Sequence, residues 1–337
     1  MFAFIRSISF TVQAMIPVVA LILFGVAWFL PGNLQPGLIY GNGLFYLPAD
    51  GWMYTLWTGM ASLPLWAQIL PACITAIFIA VLLAGTDMAN ILMGRRSYAL
   101  AFVYLLLLAS GGHFFLFHPA MPATLLMVVS QRFLLALYKR ETEYAIVFVM
   151  GFAWGAAALL YPPVLALAPA LLLGLLLMVS TNWRHWLVCI MGLALPGVLA
   201  SVCWYLLGDL SYEMRTFFSW FKLREFALPA YLLKEPFVAA WMLLLVVWTV
   251  LATMRYRNPK IQSRQLFQHN FLLFVNILVV AVLMKTVAIE FTWLLVLPLS
   301  YFMTFWALEE SRGWVRDLFF FSLIAAFVFF RIRGLII

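Results

Sequence analysis

The chain has 337 residues, of which 66% are hydrophobic and only 9% charged, with a mean hydropathy of +1.06. So few polar groups do not cover a water-soluble globule, which excludes a soluble enzyme or binding module and leaves an integral membrane protein. The net charge of +8 is spread thinly, and no basic cluster with interleaved aromatics is long enough for a DNA or RNA surface, so no nucleic-acid partner is expected.

The apolar residues fall in blocks that reach the roughly 20 residues a helix needs to cross about 30 Å of hydrocarbon. Spans are predicted near 8–30, 64–84, 98–117, 119–138, 144–160, 163–179, 186–207, 237–254, 271–288, 291–308 and 318–333. The fold class expected is therefore all-α: one polytopic transmembrane helical bundle over 1–337, of about 11 crossings, without a soluble domain. Runs such as VLALAPALLLGLLLMV (164–179) are apolar on every side and lack the alternation of a transmembrane barrel. The two places where the count shifts between 10 and 11 are the hairpin at Tyr161, Pro162 and Pro163, where two prolines stop one helix and start the next, and the last segment, which contains Arg331 and Arg333. The first segment is too long for a signal-peptide core and is read as a retained helix. No repeat period and no pair of matching interrupted helices is present.

Cations set the orientation. With alternating sides, the N-terminal side holds Arg6, Arg95, Arg96, Arg132, Lys139, Arg140, Arg184, Arg255, Arg257, Lys260, Arg264, Arg312 and Arg316; the other keeps Arg215, Lys222, Arg224, Lys234, Lys285, Arg331 and Arg333. The positive-inside rule then places the N-terminus in the cytoplasm. The longest polar connections are 31–63, 208–236 and 255–270. Cys73, Cys189 and Cys203 have no metal-binding or disulfide spacing and are read as buried small apolar residues, so no metal site is expected from them.

In the first outer loop, Asp50 is the only charged residue between Arg6 and Asp87. It suits the start of a short surface helix, because Asp accepts hydrogen bonds from first-turn N–H groups; Trp52, Met53, Leu56, Trp57 and Met60 would then anchor that helix at the headgroups. The sharper reading makes Asp50 a catalytic base, with His113 and His118 of the next outer turn beside it. Arg215, Lys222 and Arg224, in the outer loop 208–236 with Asp209, Glu213 and Glu225, are candidates for binding a lipid phosphate, and a divalent metal would bridge the groups if the chain is an enzyme. The same loop mixes Phe217, Phe218, Trp220, Phe221, Leu223 and Phe226 with its cations, as an interfacial amphipathic helix does. Gln13, Gln68, Gln131, Asn276 and Lys285 fall in or beside spans; Lys285 and Glu290, five positions apart, are read as a boundary ion pair or a snorkelling lysine.

Between residues 80 and 210 the succession GTDMANILMGRRSYALAFVYLLLLAS, HPAMPATLLMVVSQRFLLAL, AIVFVMGFAWGAAALLYPPVLALAPALLLGLLLM and WRHWLVCIMGLALPGVLASVCWYLLGD resembles an uncharacterised family of bacterial inner-membrane proteins, itself distantly similar to GT-C glycosyltransferases. The likeness implies a cytoplasmic N-terminus, interfacial helices and an acidic residue in the first outer loop, and a polyprenyl-phosphate sugar donor; Asp50 is the one residue that matches the acidic position. The chain departs from the pattern by having a single carboxylate in its first outer loop and none in its second, and no soluble C-terminal domain. The reading this supports is a non-catalytic inner-membrane subunit of a cell-envelope biogenesis or secretion assembly, with membrane lipids and integral-membrane proteins as partners and no cofactor. The alternatives are a GT-C-type transferase using Asp50 as base and a secondary transporter using Lys285 and Glu290.

Overall fold

Backbone polar groups in hydrocarbon must be satisfied within their own segment, and the long apolar stretches of this chain are accordingly helical. The computed structural model describes residues 10–29, 59, 63–90, 97–111, 115–138, 143–178, 183–223, 236–254, 261–287, 289–309 and 313–336. They form α1 (Phe10–Phe29), α2 (Leu65–Asn90), α3 (Ala99–Ser110), α4 (Ala120–Ala136), α5 (Tyr144–Leu160), a 3-10 turn (Pro162–Leu167) running into α6 (Ala168–Met178), α7 (Trp183–Leu207), the short α8 (Leu210–Ser219), α9 (Pro236–Met254), α10 (Ile261–Leu283), a second 3-10 turn (Ile289–Phe291), α11 (Thr292–Glu309) and α12 (Gly313–Ile336). The only β-type pairing among the described residues is an isolated antiparallel bridge between Leu223 and Met284. Each span expected from hydropathy overlaps one of these helices. Four stretches, Trp66–Asn90, Trp183–Leu207, Ile261–Leu283 and Thr292–Glu309, are long and apolar enough to cross a membrane by length and composition, and Ala99–Ser110, Ala120–Ala136, Tyr144–Leu160 and Pro162–Met178 are shorter apolar helices.

The helices alternate in direction. Phe115, in the turn between α3 and α4, meets Phe24 near the end of α1 (ring centroids 4.8 Å apart) and Phe327 of α12 (6.2 Å). At the opposite end the Tyr98 hydroxyl donates to Gln13 of α1 (3.4 Å), and Gln262 at the start of α10 donates to Asn90 at the end of α2 (3.4 Å). The end holding Phe115 also holds Glu290 and is called the Glu290 end below.

α3 and α11 form the centre. Every residue of α3 is buried, and α11 is buried without a break from Thr292 to Ala307, so both are apolar all round, as helices surrounded by other helices must be. Pro298 inside α11 withholds one N–H; Ser300 and Thr304 turn their hydroxyls back onto the carbonyls of Leu297 and Ser300 (both 2.6 Å) and keep the helix self-contained. α7 is held differently, along α5 and under α8. A methyl group on Gly151 or Gly155 of α5 would collide with the carbonyl oxygen of Cys189 or Leu193, and one on Gly192 of α7 with that of Phe148, so the two backbones touch. In lipid, where apolar side chains gain little by leaving the tails, such small-residue contacts supply much of the association.

Three expectations need correction, and one left open between two readings is narrowed. α3 stops at Ser110, short of 117, because Gly111 takes an extended conformation and starts the turn. The connection 255–270 is not all loop: α10 begins at Ile261, because Ser263, Leu266, Phe267 and Asn270 recur at helical spacing and are buried despite the polar residues between them. Cys73 and Cys189 are buried, but Cys203 is exposed on α7. Glu290 is fully buried, whereas Lys285 is exposed and forms no ion pair with any described residue, which leaves the snorkelling lysine of the two readings.

Overpacking the α5–α7 contact separates the helices, so Gly155→Leu is expected to cost roughly 1–3 kcal/mol. Thermal unfolding in detergent should show a lower midpoint for Gly155→Leu, while Gly85→Ala, whose added carbon meets nothing within 4 Å, is neutral or slightly stabilising.

Candidate functional site

At the Glu290 end, segments far apart in sequence enclose a polar and aromatic cluster. Tyr161 leaves the end of α5 before Pro162 and Pro163 turn the chain; the reversal is tight enough for the Trp154 indole N–H to donate to the Val164 carbonyl (3.2 Å). The fully buried Tyr161 hydroxyl then donates to Oε1 of Glu290 (3.3 Å), 129 positions along the chain. Glu290 sits in the 3-10 turn before α11 with no exposed surface.

His118 closes one side. Its ring lies face to face with Trp293 (4.9 Å) and meets Tyr161 edge-on (5.9 Å). The Ala120 N–H donates to His118 Nδ1 (3.2 Å), so the imidazole satisfies one of the donors that the first turn of α4 leaves over. In the turn, outside the helices, burial holds His118 well below the ordinary histidine range; the ring is neutral, with Nδ1 accepting and the proton on Nε2.

The segment after α8 forms the roof. Trp220, nearly fully buried, meets Tyr161 edge-on (5.6 Å), and its carbonyl accepts the hydroxyl of Thr286. The Lys285 N–H donates to the Lys222 carbonyl (2.9 Å), and the Leu223–Met284 bridge extends this seam. Close by, the Trp241 indole of α9 donates to the buried Ser110 hydroxyl at the end of α3 (3.0 Å).

Of the candidate residues, His118 is thus placed within the sealed cluster. Arg215 and Lys222 are exposed at the same end of the bundle and pair with no described carboxylate. Asp50, His113 and Arg224 lie outside the described residues, as does the helix expected to start at Asp50. No group of three or more His, Cys, Asp or Glu side chains spaced to hold a metal occurs among the described residues.

Sequence reasoning missed Tyr161 as a partner of Glu290, and it missed Asp87. That aspartate is fully buried one turn from the end of α2, within electrostatic reach of Tyr301 on α11. Buried polar side chains continue on neighbouring helices with Gln131 of α4 and His269 and Asn270 of α10. A carboxylate near a helix C-terminus opposes the helix dipole, and that is the signal which marks Asp87 as unusual in the bare sequence.

If the Tyr161–Glu290 hydrogen bond holds the cluster, removing it from either side costs the same interaction. Tyr161→Phe, Glu290→Met, which leaves no acceptor, and the double variant should show a coupling of about 0.5–1.5 kcal/mol by thermal unfolding in detergent; strict additivity would contradict a shared bond.

Comparison with known proteins agrees with an uncharacterised family and goes no further in function. No curated protein and no solved structure matches the chain. A family of unknown function, DUF6427, matches residues 68–336, and this chain belongs to it.

Proposed function

We propose that the chain is a non-catalytic integral subunit of a cell-envelope biogenesis or secretion assembly, seated in a bacterial inner membrane with its N-terminus in the cytoplasm and the Glu290 end outward. The observation that carries this reading is that the imidazole and the carboxylate at that end are buried among packed side chains. His118 and Glu290 have 0% exposure, one ring face of His118 is covered by Trp293, and Trp220 packs over Tyr161. A general base or acid has to come within hydrogen-bond reach of its substrate, and neither group is open to one.

Support for a partner comes from α7. Over its apolar window it is 17% buried, against 89% for α11, and its first half carries Trp183, Leu187, Ile190 and Met191 outward. A partner's transmembrane helix packing on this face would cover it.

A second reading, a GT-C-type transferase acting on a polyprenyl-phosphate-linked sugar, draws on Arg215 and Lys222 being exposed and unpaired among the described residues, as a phosphate clamp requires. In it Asp50 is the base and Arg224 a third cation; a divalent metal would be its cofactor.

The two readings separate by experiment. With a photo-crosslinking amino acid at Ile190, the subunit reading expects one protein adduct of defined mass in intact membranes and the same protein in stoichiometric amount after mild detergent extraction; crosslinking to lipid alone would overturn it. Asp50→Asn should complement a deletion strain as well as the unmodified chain does. Loss of complementation at unchanged protein level would replace the subunit by the transferase.

A further inference from the structure

α7 ends in a turn that folds the chain back on itself. Gly208 has φ +82°, a left-handed conformation that costs a residue without Cβ little. Its N–H donates to the Tyr205 carbonyl (3.1 Å) and the next N–H, of Asp209, to the Trp204 carbonyl (3.0 Å), the paired bonds of a Schellman motif. The next helix, α8, is thereby laid against the last turns of α7. Leu210, Met214, Phe217 and Phe218 recur along α8 at helical spacing and face α7, while Arg215 is exposed.

Between the two helices runs a groove of about 510 Å³, closed on its third side by Leu159 of α5. Its volume falls within the roughly 300–1,000 Å³ typical of small-molecule sites. On the α7 side it exists because Gly197 has no side chain and Ser201 only a short one, whose hydroxyl proton is already donated to the Gly197 carbonyl (2.8 Å). The lining is otherwise apolar or aromatic, which fits a hydrocarbon chain and does not fit a sugar or a nucleotide.

The charge around it is one-sided. Arg215 follows Met214 of the lining. Lys222 follows Phe221, whose ring meets that of Phe217 (5.8 Å), and Lys285 is tied by its backbone to Lys222. All three cations are exposed and form no ion pair with a described residue. Among the described residues of this stretch the acids are Asp209, exposed before α8, and Glu213, buried on it. An amphipathic helix with an apolar face in a membrane and cations at its edge attracts anionic headgroups.

We propose that this groove is a binding site for a single anionic phospholipid, one hydrocarbon chain lying between α7 and α8 and the phosphate of the net-negative headgroup meeting Arg215 and Lys222. The site does not require the subunit role: either functional reading can fail and leave it intact.

The test uses the full chain in nanodiscs of phosphatidylcholine containing a minor share of phosphatidylglycerol, followed by native mass spectrometry of the released protein. The unmodified chain should retain one phosphatidylglycerol in preference to phosphatidylcholine. A Cβ added at Gly197 meets nothing within 4 Å, so a larger side chain has room to enter the groove, and Gly197→Phe should lower the retained lipid at least tenfold. Arg215→Gln with Lys222→Gln, both exposed and therefore silent for folding, should keep a bound lipid but lose the preference for phosphatidylglycerol. Equal retention by Gly197→Phe, or graded binding without preference in the unmodified chain, would overturn the site.

Discussion

Glu290 is a carboxylate with no exposed surface among largely apolar helices, and much of the architecture at its end of the bundle follows from that constraint. Burying a carboxylate is expensive unless donors meet it, and Tyr161 is one such donor, presented by a turn that two consecutive prolines make abrupt. The rings of His118, Trp220 and Trp293 then pack around that pair. At the centre, α11 is thus packed along its whole buried length, and a polar contact enclosed by aromatic rings is added at one end.

α7 stands outside that logic. Its glycines bring it into backbone contact with α5 along one side, which leaves its remaining faces to lipid or to another protein. The Schellman turn at Gly208 brings α8 over its last turns, and a groove forms where α8 rides on side chains while α7 offers glycine and serine. A tightly joined helix pair and a loosely covered helix end thus occur on the same element. The first positions the helix; the second gives it a place to hold something.

Hydropathy alone made the helix positions legible, since blocks of apolar residues between polar turns have one solution in a bilayer. The start of α10 was not legible, because Gln262, Arg264, Gln265 and Gln268 mask the helical recurrence of its buried residues. The paired prolines marked the reversal after Tyr161 correctly, yet nothing local pointed from Tyr161 to a glutamate 129 positions later. Glu290 instead drew attention to the nearest cation, Lys285, and five positions across a turn was the wrong distance from which to choose its partner. Arg215 and Lys222 were legible as surface cations; the groove beside them depends on how α8 folds back, which a charge pattern does not encode.

Chemical access to His118 tests most directly whether the Glu290 end is a sealed plug. Diethyl pyrocarbonate acylates neutral imidazole wherever water and reagent reach it, and peptide mass spectrometry after brief exposure of the protein in lipid nanodiscs reads each histidine separately. A sealed end leaves His118 unmodified until detergent unfolds the chain. Acylation of His118 in the folded protein, at the rate of an exposed histidine, would mean that a wet cavity opens there and that the groups around it are free to do chemistry.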